Sequence, residues 1–159
     1  MKRKLLSYLE KDPFLTADEL AIMLDESPES VKTALKEFRD EGVILGSKTL
    51  INWDKTDKES VSALIELKTI PQRDRGFDAI AERICNFDEV KSVFLMSGAY
   101  DLAVTVECRT MRDVANFVAE HLATIDGVTS TATHFIMQKY KDWGISFDRK
   151  PLDLRGNSW

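Results

Sequence analysis

The sequence predicts an α+β protein of two small domains: three helices closed by a short two-stranded wing, followed by a β-α-β-β-α-β domain. Three observations carry this. Apolar residues recur at helical spacing, with capping signals between them, through the first forty or so positions. Beyond about residue 60, strand-like and helix-like segments alternate. A short motif then recurs at the two places where a helix must give way to a strand. The chain has 159 residues, enough for two small domains.

Residues 2–11 place Leu5, Leu6 and Leu9 on one side of a first helix, which Asp12-Pro13 stops. Thr16 opens a second helix, and Glu19, three residues on, completes a capping box. The apolar face of this helix is Leu20, Ala21, Met23 and Leu24, and the polar turn Asp25-Glu26 follows. Ser27 caps a third helix. Pro28 stands at its first position, where a missing N–H costs nothing. Val31, Ala34, Leu35 and Phe38 form the stripe that packs on the first two helices, and Gly42 ends the helix. Val43-Ile44-Leu45-Gly46 and Thr49-Leu50-Ile51 read as two short strands of a wing around Gly46-Ser47-Lys48. Residues 1–52 thus read as a winged helix-turn-helix, and the polar residues 53–60 as a linker.

The second domain, residues 61–141, starts with a strand at 61–70 and a helix at 75–86, whose Phe77, Ile80, Ala81 and Ile84 face inward. Strands at 90–96 and 101–108 flank a turn at 97–100. A helix at 111–123 carries Val114, Ala115, Phe117, Val118 and Leu122, and the last strand is 128–138. This order is the split, ferredoxin-like pattern. Phe87-Asp88-Glu89-Val90-Lys91-Ser92 and Ile125-Asp126-Gly127-Val128-Thr129-Ser130 share an apolar-Asp-x-Val-x-Ser pattern, as a duplicated β-α-β unit requires. Val93 to Met96 and Leu102 to Val106 are apolar or small on both faces, although two helices cover only one face of a four-stranded sheet. An exposed apolar face follows, and with it either a dimer or a cover supplied by the tail. In the tail, 142–159, residues Trp143, Ile145, Phe147 and Trp159 are too apolar for a solvated end. Trp143 to Phe147 are expected to dock on the body or on a partner.

The formal net charge of −5 excludes a protein that coats nucleic acid by bulk charge, and acidic residues outnumber basic ones even in the first fifty positions. A local DNA-reading face remains open. With the apolar stripe buried, the third helix offers Ser30, Lys32, Thr33 and Lys36, with Glu29 at its start. Arg39 and wing Lys48 add backbone contacts, and Ser27 is counted with the DNA-binding residues. The alternative is a merely solvated helix face. No segment is long and apolar enough to span a membrane, neither end carries a targeting signal, and a cytoplasmic protein is expected. Cys85 and Cys108 then read as free buried thiols. No metal-ligand spacing, phosphate loop or catalytic triad surrounds His121 or His134, so no cofactor, metal site or catalytic residue is expected; a small α/β enzyme is the distant alternative.

Leu15-Thr16-Ala17-Asp18-Glu19-Leu20-Ala21, Ser27-Pro28-x-Ser30-Val31 and Glu41-Gly42-Val43-Ile44 together resemble the N-terminal half of the Lrp/AsnC (feast/famine) regulators. The turn Ser97-Gly98-Ala99-Tyr100-Asp101 resembles that family's ligand-domain loop, as does Gly127-Val128 followed by Thr129, Thr131 and Thr133. The resemblance runs in family order to about Lys141. It implies a winged helix-turn-helix binding double-stranded DNA, a RAM-type effector domain, dimers that assemble further to tetramers or octamers, and an amino acid as effector. Carried over by position, the effector site is Ser97, Gly98, Ala99, Tyr100, Asp101, Thr131 and Thr133. Backbone N–H groups of the glycine turn suit a carboxylate, and Asp101 suits an ammonium. The alternative is that Gly98 only makes a hairpin and the threonines only favour strand. Where the family usually has two adjacent arginines in its recognition helix, this chain has Thr33 and Ala34. A regulator with weak or lost DNA binding, acting through a protein partner, is therefore the other reading.

Overall fold

A computed structural model describes residues 1–70 and 76–147. The chain divides into two compact units, Met1–Ile51 and Asn52–Trp159.

The first unit holds α1 (Lys2–Lys11), α2 (Ala17–Leu24) and α3 (Pro28–Asp40). The local signals in the sequence set their ends. The Thr16 hydroxyl accepts from the Glu19 N–H while the Glu19 carboxylate accepts from the Thr16 N–H, completing the capping box. Ser27 accepts from the Ser30 N–H, with Pro28 at the start of α3. Gly42 takes a left-handed φ of 69°, and Val43 N–H reaches back to Phe38 O at 2.8 Å, closing the helix end. Leu5, Leu20, Ala21, Val31, Ala34, Leu35 and Phe38 form one core.

Two sequence expectations fail here. Met23 is exposed, because the buried stripe of α2 is Leu20, Ala21 and Leu24, and Met23 points well away from it. Residues 43–52 form no strand, so the wing's two segments do not pair as a ladder. Only Ile44 packs on the helical core; Leu45 is 94% exposed. Two three- or four-residue strands with no second surface to cover them gain too little to hold a ladder.

The second unit is a four-stranded antiparallel sheet in the order β2-β3-β1-β4, from β1 (Val61–Thr69), β2 (Val90–Leu95), β3 (Leu102–Cys108) and β4 (Val128–Phe135). Helices α4 (Asp78–Cys85) and α5 (Met111–Phe117) complete the ferredoxin-like order. Both pack on one face, against Ala63, Ile65, Leu67, Leu102, Val104 and Val106. The duplicated motif makes the same turn twice: Val90 N–H donates to Phe87 O at 3.1 Å, and Val128 N–H to Ile125 O at 3.0 Å. Gly127 is required there. Its φ is 94°, and a Cβ would lie 2.9 Å from Ile80 Cδ1.

Details differ from the sequence reading. The first helix of this unit begins at Asp78, and Arg75 lies outside the described residues. The second passes into a π-turn over Val118–Leu122, with Ala115 on its exposed side. The last strand ends at Phe135 rather than 138, although Ile136 N–H still donates to Ser62 O. The helix-free face alternates with the core residues and presents Leu64, Glu66, Phe94, Ala103, Thr105, Ala132 and His134. Phe94 is 55% exposed, and His134 Nε2 lies 3.4 Å from Glu66 Oε1. Neither cysteine is fully buried: Cys85 is exposed on its short helix and Cys108 lies half-buried at a strand end.

Trp143 and Ile145 are exposed and do not dock on the body, while Phe147 is half-buried; docking on a partner stays an expectation. Lys141–Asp142 and Ile145–Ser146 form a small hairpin, β5 and β6. Trp143 and Gly144 make its tip with φ of 46° and 79°, and Trp143 is 89% exposed. Trp159 lies outside the described residues.

Candidate nucleic-acid interface and ligand loop

The burial of Val31, Ala34, Leu35 and Phe38 fixes the orientation of α3. At about 100° per residue, the opposite side is the row Glu29, Thr33, Lys36, Asp40. Lys32 and Arg39 are exposed on one flank; Ser30, half-buried, and Glu37 lie on the other. Thr33 and Lys36 thus share the outward row, while Lys32 and Ser30 are on opposite flanks of it. Lys32 Nζ is 3.3 Å from Glu29 Oε1, and Ser27 caps the helix, so both have partners within α3. Lys48 is exposed in the irregular segment after the helix. Lys2 reaches from α1 to Glu37 at 2.6 Å and lies over the Phe38 ring. The hydrogen bond and charge of Glu37 hold the Lys2 ammonium above its ordinary pKa. The pair occupies one carboxylate on the Ser30 flank of α3. Lysine 2 and glutamate 37 are 35 positions apart, and nothing in the sequence pairs them.

The turn between β2 and β3 exposes Ser97, Gly98 and Ala99, with Tyr100 and Asp101 half-buried. Asp101 is the turn's anchor. Its N–H donates to Leu67 O at 2.9 Å, its carbonyl accepts from Met96 N–H at 2.7 Å, and its Oδ2 accepts from Thr69 N–H at 2.7 Å. Thr69 is the buried polar residue of the sheet, so Asp101 supplies the partner that the end of β1 needs. Gly98 is different. Its φ is not left-handed, and a Cβ there would meet nothing within 4 Å.

Thr131 and Thr133 lie on β4, opposite Leu67 and Ile65. Strand β1 therefore stands between them and the turn, a separation of two strand spacings, roughly 10 Å. One subunit does not bring the two groups together around a small molecule. The two threonines share the side of Leu67 and Ile65, at the half-buried outer edge of the helix-covered face.

Residues 53–60 contain a short 3-10 turn, Trp53–Lys55. Lys58 lies over the Trp53 ring at 4.1 Å and reaches Glu107 Oε1 at 3.0 Å. Partial burial pushes the Glu107 carboxyl up, but the hydrogen bond and charge of Lys58, helped by Ser60, outweigh it and hold its pKa below the usual range. Burial raises the Cys108 thiol. His121 packs against Phe87 and Phe117. Among the described residues no group of three or more His, Cys, Asp or Glu could hold a metal, and no helix is long and apolar enough to cross a membrane.

Comparison with known proteins agrees with this architecture. Residues 62–144 match the Lrp/AsnC ligand binding domain and residues 1–44 a winged helix-turn-helix DNA-binding domain. The HTH-type transcriptional regulator YugG of Bacillus subtilis is 42% identical over 153 residues, covering 96% of this chain and 92% of its own. Two solved structures share the fold. The leucine response regulatory protein LrpA of Mycobacterium tuberculosis has a TM-score of 0.76 at 22% identity, covering 89% of this chain and 94% of its own. The Neisseria meningitidis regulator NMB0573, in complex with L-Met, has a TM-score of 0.71 at 23% identity, covering 89% and 90%. An N-terminal helix-turn-helix with an outward polar row, an antiparallel sheet backed by two helices, and these matches across both units lead to one conclusion: the chain belongs to the Lrp/AsnC family of transcriptional regulators, with a DNA-binding helix-turn-helix and a ligand-binding domain.

Proposed function

We propose that this regulator senses an amino acid at the Ser97–Asp101 turn, that it works in the cytoplasm as a dimer or higher oligomer, and that Ser27, Ser30, Lys32, Thr33, Lys36, Arg39 and Lys48 supply its DNA contacts. The observation that carries the effector reading is Gly98. The chain's own fold asks for no glycine there, since φ is ordinary and the space beside it is open. A bare position with open space beside it leaves room for the close approach of something from outside. The turn offers backbone donors to a carboxylate, and Asp101 keeps a second oxygen for an ammonium while Oδ2 holds Thr69. The L-Met complex of the Neisseria regulator supports the ligand class.

Thr131 and Thr133 enter this reading across a subunit boundary, because β1 separates them from the turn of their own subunit. Ligand binding then couples to assembly, since a ligand shifts an equilibrium only by its differential affinity for the two states. The helix-free sheet face, with Phe94 exposed and Leu64 and Ala132 beside it, supports dimerisation.

A thermal-shift screen against the twenty amino acids tests the effector reading. A ligand at a hundred times its dissociation constant stabilises the native state by about 2.7 kcal/mol. No shift with any of them would remove the amino-acid part. Sedimentation at micromolar concentration tests the assembly, and a monomer would remove that part.

A further inference from the structure

We propose that Glu29 reads a base: its carboxylate accepts a hydrogen bond from the N4 amino group of a cytosine in the major groove. The inference rests on α3 being the recognition helix and adds the chemistry of one position in its operator.

The argument starts from the outward row. Glu29, Thr33, Lys36 and Asp40 follow one another at i, i+4, i+7 and i+11, directly opposite the buried stripe. In a helix-turn-helix the N-terminal residues of the second helix reach the base edges. Glu29 is the second residue of α3 and its side chain is 85% exposed, so it stands first in line for the floor of the groove. A carboxylate entering a groove walled by phosphates meets a repulsive field. It is tolerated only if a cation neutralises it and a donor receives it.

The cation is present. Lys32 Nζ lies 3.3 Å from Glu29 Oε1, on the flank of the same row. The donor narrows the base. An ionised carboxylate only accepts. Guanine presents two acceptors in the major groove and thymine presents an acceptor and a methyl group. Adenine has a donor, but N7 beside it repels a second carboxylate oxygen. Cytosine N4 presents a donor with an acceptor, the paired guanine O6, on one side only, whereas adenine N6 is flanked on both sides by N7 and the thymine O4. The same carboxylate that weakens general attraction to DNA therefore gains sequence information, which accords with an N-terminal unit in which acidic residues outnumber basic ones.

Glu29 also lies in the first turn of its helix, where any acid favours the helix dipole. Base selection separates the two roles. Binding-site selection from a randomised duplex library, with the full-length wild type, Glu29→Gln and Glu29→Ala, is the experiment. For the wild type we expect one position of the selected site to be cytosine, repeated by the symmetry of a two-fold oligomer. Glu29→Gln should move that position to adenine, because an amide pairs with N6 and N7. Glu29→Ala should lose the preference there by roughly 5- to 150-fold, while binding to unrelated DNA tightens. Helical circular dichroism should be the same for all three. A selected site that Glu29→Ala leaves unaltered overturns this proposal alone. A wild type that selects no sequence overturns it together with the reading of α3 as a recognition helix.

Discussion

Asp101 has a structural task and a proposed ligand task, and two substitutions separate them. In the folded chain its Oδ2 accepts from Thr69 N–H at 2.7 Å, with the Thr69 hydroxyl at 3.5 Å, and Thr69 is only 9% exposed. Asp101→Ala removes that acceptor and leaves a nearly buried N–H without a partner. A hydrogen bond to a charged group is worth about 1.5–3 kcal/mol. The site is half-buried, so the lower half of that range applies. Asp101→Asn keeps an acceptor oxygen in the same place and lacks only the charge, so its loss should stay below about 1 kcal/mol. The ligand does not distinguish them: both variants lose the charge that suits an ammonium, and both should bind an amino acid at least about tenfold more weakly. Urea denaturation at one fixed protein concentration measures the first effect and calorimetry the second. Equal urea midpoints for Asp101→Ala and wild type would refute the anchoring role. Undiminished affinity in Asp101→Asn would refute the ammonium contact while leaving the anchor intact.

Three further outcomes follow from the same geometry. Lys32→Glu with Lys36→Glu should abolish DNA binding at matched salt while leaving the melting curve of the N-terminal unit nearly unchanged, since both side chains are exposed and off the buried stripe; an unchanged gel shift would displace the interface from α3. Gly127→Ala should cost at least about 1 kcal/mol, because its φ is 94° and the new methyl would lie 2.9 Å from Ile80 Cδ1, and a wild-type urea midpoint would contradict that. Glu107 has a depressed folded pKa, so its pairing with Lys58 contributes stability above its unfolded pKa, near 4.5, and loses it as pH falls through the lower folded value. Glu107→Gln should flatten the acid limb of the stability–pH curve; an identical limb in both proteins would dismiss the pair.

The sequence carried most of what is decided within four or five residues. The capping box at Thr16, the cap at Ser27 and the left-handed stop at Gly42 each satisfy helix-end groups with neighbours in the chain, so residue type and spacing suffice to place them. The turns at Val90 and Val128 are equally local, which is why one motif predicts both. What was illegible depends on register. Thr131 and Thr133 fall on the side of Leu67 and Ile65 only because β4 pairs with β1 in that register, and a one-residue slip would turn both to the open face. Alternation along β4 alone cannot make that choice, and a register shift between Lys68 and Thr69 complicates it further. The anchoring of Asp101 by Thr69 spans 32 positions and depends on two strands ending side by side. The two expected wing strands did not pair for an energetic reason. Val43, Leu45 and Ile51 have strand-like chemistry, but in this chain nothing covers them, and propensity without burial does not hold a ladder. The same reasoning applies to Glu29. Its type and position were visible as the start of a helix face, yet its candidacy needed the buried stripe to define which row points outward, and Lys32 to stand beside it.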